Sequence, residues 1–444
     1  MDENKKTILI DLTSLFDQFS KRGIGIYTRQ LIKRLIPLLV DSKKYKVKLI
    51  GFKTKEETLK DLNLKDSNEI DFYSLGDVKL SDPKNLIRWI KDYSPIIKRL
   101  KPDLYFAPHF ERGFPTVPLI NFNLNTIDIK TIVVSHDVIP IATNSFTSKG
   151  WLINLIKGVI YKFMFLGVKY SPVIISDSIF TKNELIRYGK IREDKIIPVY
   201  LGVEETFFRE DSKEIRSDLM KVAERYSLKD ISYFFYDSGI ESNKGISELI
   251  LVFKEILYRN STKLSQIDTI RKIDVDSDHK ISNELLPDKL VIVGGDFEKG
   301  SGVNIKARTK KGKRVLKQMR DAEVLDNIIT TGRITDEDLR LLLFNSSCYI
   351  NLSSYEGFSL GPVQAMAASV PVIASNTSCT PEVTSGGALL VNAKDTIQTV
   401  SSIEELLLDK DKLKSILLKA EEIARRYDWN KTAKNIFQII NSTK

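Results

Sequence analysis

The chain has 444 residues, 42% of them apolar, and a formal charge of +10 from 68 Lys and Arg against 58 Asp and Glu. That length accommodates two or three domains of roughly 150 residues, each able to bury a core, and the near-average composition excludes collagen-like, disordered and disulfide-scaffold classes. Two cysteines, Cys348 and Cys379, fit a reducing compartment, and three histidines (His109, His136, His279) nearly exclude a His-based metal cluster.

In chain order, Thr7-Ile-Leu-Ile-Asp11 reads as the start of a first strand (7–12) and not as the apolar core of a signal peptide. Further strands are expected at 46–52, 103–107, 131–135, 172–176 and 195–199, with helical patterns at 25–40, 85–100, 148–170 and 178–189 between them. The longest apolar stretch, Trp151 to Ile175, is punctuated by Lys157, Lys162 and Lys169, so it falls short of the ~20 apolar residues of a spanning helix. A cytoplasmic protein is expected. Segment 148–170 reads either as a buried helix or as an interfacial one, with Trp151, Phe163 and Phe165 in lipid and lysines among anionic headgroups.

The series restarts after Tyr200-Leu-Gly-Val-Glu-Glu-Thr-Phe-Phe-Arg209, with strands expected at 231–236, 289–294, 327–331, 347–352 and 370–374. Continuous apolar strands alternating with helices imply parallel sheets covered on both faces. The expectation is an α/β chain of two Rossmann-like, doubly wound domains, 1–205 and 206–428, facing one another across a cleft. Two polar segments, 260–287 and 298–325, read as surface insertions or as hairpins around the 289–294 strand. The positive charge is scattered, with no arginine-rich arm and no zinc or helix-turn-helix spacing, so no nucleic-acid partner is expected. An anionic membrane surface or a phosphorylated substrate remains as its owner.

The most informative segment is Ser353-Ser-Tyr-Glu-Gly-Phe-Ser-Leu-Gly-Pro-Val-Gln-Ala-Met-Ala-Ala368. A strand ends, a glycine-containing turn follows, and a helix opens near Gly361-Pro362, where free N–H groups suit a phosphate. Glu356 at the turn can accept from sugar hydroxyls, and the Gln364 amide can reach a ribose. A tight turn with a solvent-facing Glu is the competing reading of the same residues.

This segment resembles the E-x7-E region of retaining glycosyltransferases of sequence family 4, which have the GT-B fold. The continuation Ser369-Val-Pro-Val-Ile-Ala-Ser375, Thr380-Pro-Glu-Val383 and Gly387-Ala-Leu-Leu-Val391 follows the family's order. So do Arg22-Gly-Ile-Gly-Ile-Tyr-Thr-Arg29, Val133-Val-Ser-His-Asp-Val-Ile-Pro140, Ser178-Ile-Phe-Thr-Lys182 and Val199-Tyr-Leu-Gly-Val203. Gly239-Ile-Glu-Ser-Asn-Lys-Gly245, Thr331-Gly-Arg-Ile-Thr335 and Arg426-Tyr-Asp-Trp429 complete a series that spans nearly the whole chain.

The resemblance implies roles for individual residues. Glu356 and His136 would contact the donor sugar, and Lys244 would neutralise the β-phosphate of the leaving nucleotide, a case of electrostatic catalysis. Gly23 and Gly25 would let a loop approach the diphosphate, while Gly357, Phe358, Ser359, Leu360 and Gln364 would line the donor site. Arg333 would supply a second cation or line the base pocket. Asp137 and His109 fall on the acceptor side. Family members pair the lysine with an arginine a few residues earlier; here Asp237, Ser238 and Gly239 fill that stretch. The family's second Glu is replaced by Gln364, whose single accepting oxygen holds a ribose less firmly. Relaxed donor binding, a deoxyribose donor such as dTDP-rhamnose, and a non-catalytic partner subunit all accommodate that change.

The implied function is retaining transfer of a hexose from a dTDP-, GDP- or UDP-sugar to a glycan hydroxyl. The acceptor would be polyprenyl-diphosphate-linked, at the inner face of the plasma membrane, in cell-surface polysaccharide assembly. No cofactor and no metal would be needed, and helix 429–444 would cross back to the first domain. A non-catalytic GT-B partner or glycan-binding subunit, and a sugar-phosphate synthase or phosphorylase, share the fold. Asp274-Val-Asp-Ser-Asp278 resembles a metal loop only superficially: His279 takes the EF-hand glycine position and Leu285 its twelfth. Lys310-Lys-Gly-Lys-Arg314 lacks the glycine and hydroxyl of a P-loop and reads as a solvated face.

Overall fold

The structure is a computed structural model that describes residues 5–15, 23–76, 96, 97, 99–109, 129–142, 168–210, 212–271 and 285–443. The chain divides into two compact units. The first comprises Met1–Gly202 with Tyr427–Lys444, and the second Val203–Arg426.

The first unit carries a seven-stranded sheet of β1 (Lys6–Asp11), β2 (Tyr45–Gly51), β3 (Ile70–Ser74), β4 (Leu104–Ala107), β5 (Lys130–Ser135), β6 (Val173–Ser176) and β7 (Ile196–Pro198), in the order β3-β2-β1-β4-β5-β6-β7. Every neighbouring pair is parallel. Ile8, Leu9, Ile10, Ile132, Val133 and Val134 are fully buried, as strands covered on both faces must be. The order reverses direction between β1 and β4, so the ligand-binding crevice of such a sheet lies past the carboxyl ends of these two strands.

The second unit repeats the plan with β8 (Tyr233–Tyr236), β9 (Lys289–Val293), β10 (Gly300–Ser301), β11 (Ile328–Gly332), β12 (Cys348–Asn351), β13 (Val372–Ser375) and β14 (Leu389–Val391), in the order β10-β11-β9-β8-β12-β13-β14. β10 is antiparallel to β11, and the other pairs are parallel. Its switch point lies between β8 and β12.

The differences from the sequence reading have local causes. β3 (Ile70-Asp-Phe-Tyr-Ser) is an edge strand whose only buried position is Ile70, so it lacks a continuous apolar run. Segment 260–287 is not an insertion throughout: helix Ile246–Arg271 runs through its first part, and 272–284, with the acidic Asp274–Asp278 loop, falls outside the described residues. Segment 298–325 is a correction, since β10 and helix Lys310–Asp321 belong to the fold. Val315, Leu316 and Met319 are a buried apolar stripe on an otherwise charged helix. Gly23 and Gly25 form no open loop; they stand in the first turn of helix Gly23–Asp41. Most of the expected helices 85–100 and 148–170, including the interfacial candidate with Trp151, Phe163 and Phe165, lies outside the described residues. Among the described residues no helix is long and apolar enough to cross a membrane.

Helix Trp429–Ser442 belongs to the first unit and packs along helix Gly23–Asp41. Trp429 is 1% exposed, and Thr432 donates its hydroxyl to the Tyr200 carbonyl at 2.8 Å. Gly202 is required there, because a Cβ would stand 2.1 Å from the Trp429 nitrogen. Trp429→Ala is expected to destabilise the first unit by about 3–5 kcal/mol through loss of a fully buried indole. Urea unfolding checks this; a loss below about 1 kcal/mol would show that the helix is not docked as described.

Candidate functional site

At the switch point of the second sheet, the loops leaving β8 and β12 meet. Lys244 Nζ donates to both carboxylate oxygens of Glu356, at 2.7 and 2.8 Å. Neither side chain is fully sealed, with side-chain exposures of 23% and 12%. The backbone brings them together. Gly245 adopts φ +70 and presses on β12's exit, where a Cβ would stand 2.0 Å from the Leu352 carbonyl oxygen, a position only glycine fills without strain. Asn243 Nδ2 donates to the Tyr355 carbonyl at 2.9 Å, and the Ser354 N–H donates to the Asn243 carbonyl at 2.8 Å. The Glu356 N–H is held by Ser378 Oγ at 3.1 Å. On the other side, the Tyr236 hydroxyl is shared between the Gly239 and Lys244 carbonyls.

A second acid, Asp237, stands at the end of β8. Tyr349 donates to its Oδ1 at 2.7 Å, and both side chains crowd Gly361 in the first turn of helix Leu360–Ala367. A Cβ on Gly361 would lie 2.1 Å from the Tyr349 hydroxyl and 3.4 Å from Asp237 Oδ1. Burial raises the Asp237 carboxyl above its ordinary range, and the nearby Glu356 charge adds to the rise; the Tyr349 hydrogen bond and the Lys244 charge oppose it. Burial likewise pushes the Tyr349 and Tyr236 phenols up, helped by the neighbouring carboxylates.

Of the remaining expected donor residues, Gly23 and Gly25 belong to the first unit, and the others follow the carboxyl ends of strands in this second sheet. Arg333 follows β11, is exposed, and packs its guanidinium stem on Gly295, where a Cβ would be 2.5 Å from Nε. Its guanidinium forms no ion pair or hydrogen bond with a described residue. Gln364 is half-buried in the first helical turns, and its side-chain amide is likewise unengaged among the described residues. Gly357 is buried and Phe358 is 4% exposed, anchoring the turn by its ring. Ser359 caps the helix at φ 64, ψ 61 without a side-chain capping bond; among the described residues its Oγ receives only a 3.4 Å contact from Asn351 Nδ2. Leu360 opens the helix.

The first unit gathers a separate polar cluster at the carboxyl ends of its strands. His136, 8% exposed, follows β5. Its Nδ1 lies 2.6 Å from Asp177 Oδ2 and its Nε2 3.0 Å from the Pro108 carbonyl. A carbonyl only accepts, so Nε2 carries a hydrogen, and the short Nδ1–carboxylate contact then holds a second proton between ring and acid. The ring meets Tyr27 edge-on at 4.6 Å, and Tyr27 meets Trp429 at 5.7 Å. Asp137 Oδ1 accepts from the Ile139 N–H at 2.9 Å, a turn-capping bond. His109, 2% exposed, places Nε2 3.4 Å from Thr13 Oγ1, which donates to the buried Asp11; Tyr105 donates to the same carboxylate.

The residues that sequence reasoning missed are Asp237, Tyr349, Asp177 and Tyr27. The signal was available for the two acids. Each is a charged residue placed one step past an apolar parallel strand, where sheets of this class present their site side chains.

Comparison with known proteins agrees with the geometry. Residues 227–422, nearly all of the second unit, match the family model for glycosyl transferases group 1. The serotype-specific mannosyltransferase WbdA of Escherichia coli is 21% identical over 338 residues, 76% of this chain and 36% of that protein. The chain spans about a third of the length of the curated relatives it matches. A glycosyltransferase of Rickettsia africae superposes with a TM-score of 0.63 at 19% identity, covering 99% of this chain and 100% of the other. The HepE protein of Anabaena, in complex with UDP and glucose, gives 0.66 at 15% identity over 98% of this chain and 100% of its own. The fold is therefore GT-B.

Ser359 is an L-residue in a left-handed conformation, which costs roughly 1–2 kcal/mol, partly offset in any glycine replacement by chain entropy. Ser359→Gly is expected to raise stability by up to about 1 kcal/mol, read as a higher unfolding midpoint. A fall of similar size would mean that the 3.4 Å contact with Asn351 holds the turn.

Proposed function

We propose that this chain is a retaining hexosyltransferase that moves a sugar from a nucleotide diphosphate donor to a glycan hydroxyl in cell-surface polysaccharide assembly. The carrying observation is the Lys244–Glu356 pair at the β8/β12 switch point, beside the start of helix Leu360–Ala367. An ammonium there meets the charge that gathers on the diphosphate as the glycosidic bond breaks. Glu356, tethered by that ammonium, keeps lone pairs for the hydroxyls of the donor sugar. Arg333 and Gln364, unengaged among the described residues, are assigned to the nucleotide.

His136 enters the reading with a particular chemistry. With both ring nitrogens engaged by Asp177 and Pro108, it offers a sugar a ring of fixed orientation and no nitrogen left to take a proton. The leaving diphosphate is then the base in the reaction. The family-4 assignment, a metal-independent mechanism and a polyprenyl-diphosphate-linked acceptor at the inner membrane face are parts of the same proposal. The mannosyltransferase relatives make GDP-mannose the first donor to test.

Thermal unfolding with GDP, UDP and dTDP, each with and without EDTA, tests the reading. A nucleotide at about 100 times its dissociation constant stabilises by about 2.7 kcal/mol, a shift of several degrees for units of this size. One nucleotide is expected to shift the midpoint equally with EDTA, and Glu356→Ala to abolish transfer while keeping most of that shift. No shift from any nucleotide would overturn the proposal, and a shift that EDTA abolishes would overturn its metal-independent part.

A further inference from the structure

Asp237 has no obvious place in a site built to receive a diphosphate. Its Oδ1 faces Gly361 in the first turn of helix Leu360–Ala367, 3.4 Å from where a Cβ would stand, and Lys244 and Glu356 both act on it. Among the described residues the ionisable groups around it are few. Tyr236 lies on β8, Glu241 and Lys244 on the loop that follows, Glu248 in the first turn of helix Ile246–Arg271, Tyr349 on β12, and Glu356 on the loop after β12. Helix Leu360–Ala367, packed on the other side, contains no ionisable residue. The ammonium of Lys244 is already matched by Glu356, so an ionised Asp237 leaves this group of three at a net charge of −1 (+1 −1 −1).

A nucleotide sugar brings two further negative charges to that place. Like charges at ~5 Å in a surroundings of effective dielectric about 20 weaken binding on the order of a hundredfold. A proton removes the conflict, and the structure is prepared for one, because burial and the Glu356 charge already hold the Asp237 carboxyl above its ordinary range.

We propose that Asp237 carries a proton whenever the diphosphate of a nucleotide sugar occupies this site, so that donor binding draws one proton from solvent onto its carboxyl. The neutral acid then presents an O–H donor where an ionised carboxylate would repel the phosphate oxygens, while Tyr349 continues to donate to its Oδ1. The inference rests on the nucleotide-sugar reading and adds a direction of pH dependence. Donor affinity falls as pH rises, by up to tenfold per unit between the pKa values of the free and occupied states.

The test is calorimetric titration with GDP-mannose, UDP-glucose and dTDP-glucose. Their phosphodiester groups do not titrate near neutrality, so protons exchanged belong to the protein. Each is measured at about pH 6.5 in PIPES and in imidazole, and the donor that binds is followed from about pH 6 to 8. For the wild type, the heat is expected to depend on buffer ionisation with the sign of proton uptake, and Kd is expected to rise with pH. In Asp237→Asn both dependences should vanish. Tyr349→Phe, which removes a donor to the ionised acid, should move the uptake profile to higher pH. Binding without proton uptake in the wild type, or uptake that persists in Asp237→Asn, would overturn the inference and leave the proposed function standing. Failure of every nucleotide sugar to bind would overturn both.

Discussion

A lysine and a glutamate brought together mostly out of water are costly to desolvate, and their attraction repays this only when geometry holds them in place. Here the geometry is fixed by how closely two loops can approach. Gly245 lies against the Leu352 carbonyl with no room for a Cβ, and Asn243 links the same loop to Ser354 and Tyr355. Because β8 and β12 are neighbours at the point where strand order reverses, no helix crosses between them and their loops can meet. The position of Lys244, the reach of Glu356, and the crowding of Asp237 and Tyr349 against Gly361 all follow from that approach.

The first unit shows the same logic with different chemistry. Its polar residues stand at strand ends, and His136 is fixed on three sides by Asp177, Pro108 and Tyr27. Tyr27 in turn rests on Trp429 of the last helix, so the residues that close the chain steady a side chain at the end of β5. A histidine so held keeps one ring orientation. The two units thus use their acids differently: Asp177 is committed to one partner, whereas Asp237 has a phenol, an ammonium and a carboxylate acting on it at once.

Much of the fold was legible because fully buried parallel strands write themselves as unbroken β-branched runs, and eleven such runs were expected where strands occur. The strands left out, β3, β10 and β14, are short or lie at sheet edges, and burial there is too partial to leave that pattern. The charged helix Lys310–Asp321 was misjudged because composition hides a narrow stripe of Val315, Leu316 and Met319. At the site, Lys244 and Glu356 stood out by motif, although their pairing across 112 positions is set by tertiary contact alone. Asp237 carried the signal of its place one step past a strand, but its closeness to Tyr349 and to Gly361 of the next helix is set by tertiary structure. Ser359 carried no sign of its left-handed backbone, a demand made by the turn and not by the residue.

The central claim is that Lys244 and Glu356 act as one unit in holding the donor. A double-mutant cycle on nucleotide-sugar affinity tests it, using Lys244→Met, Glu356→Gln and both together in the full chain. The account predicts a coupling of at least about 1 kcal/mol, with the double variant losing clearly less than the sum of the two single losses. Additive losses would contradict it, showing that the two residues meet in the structure but serve the ligand independently.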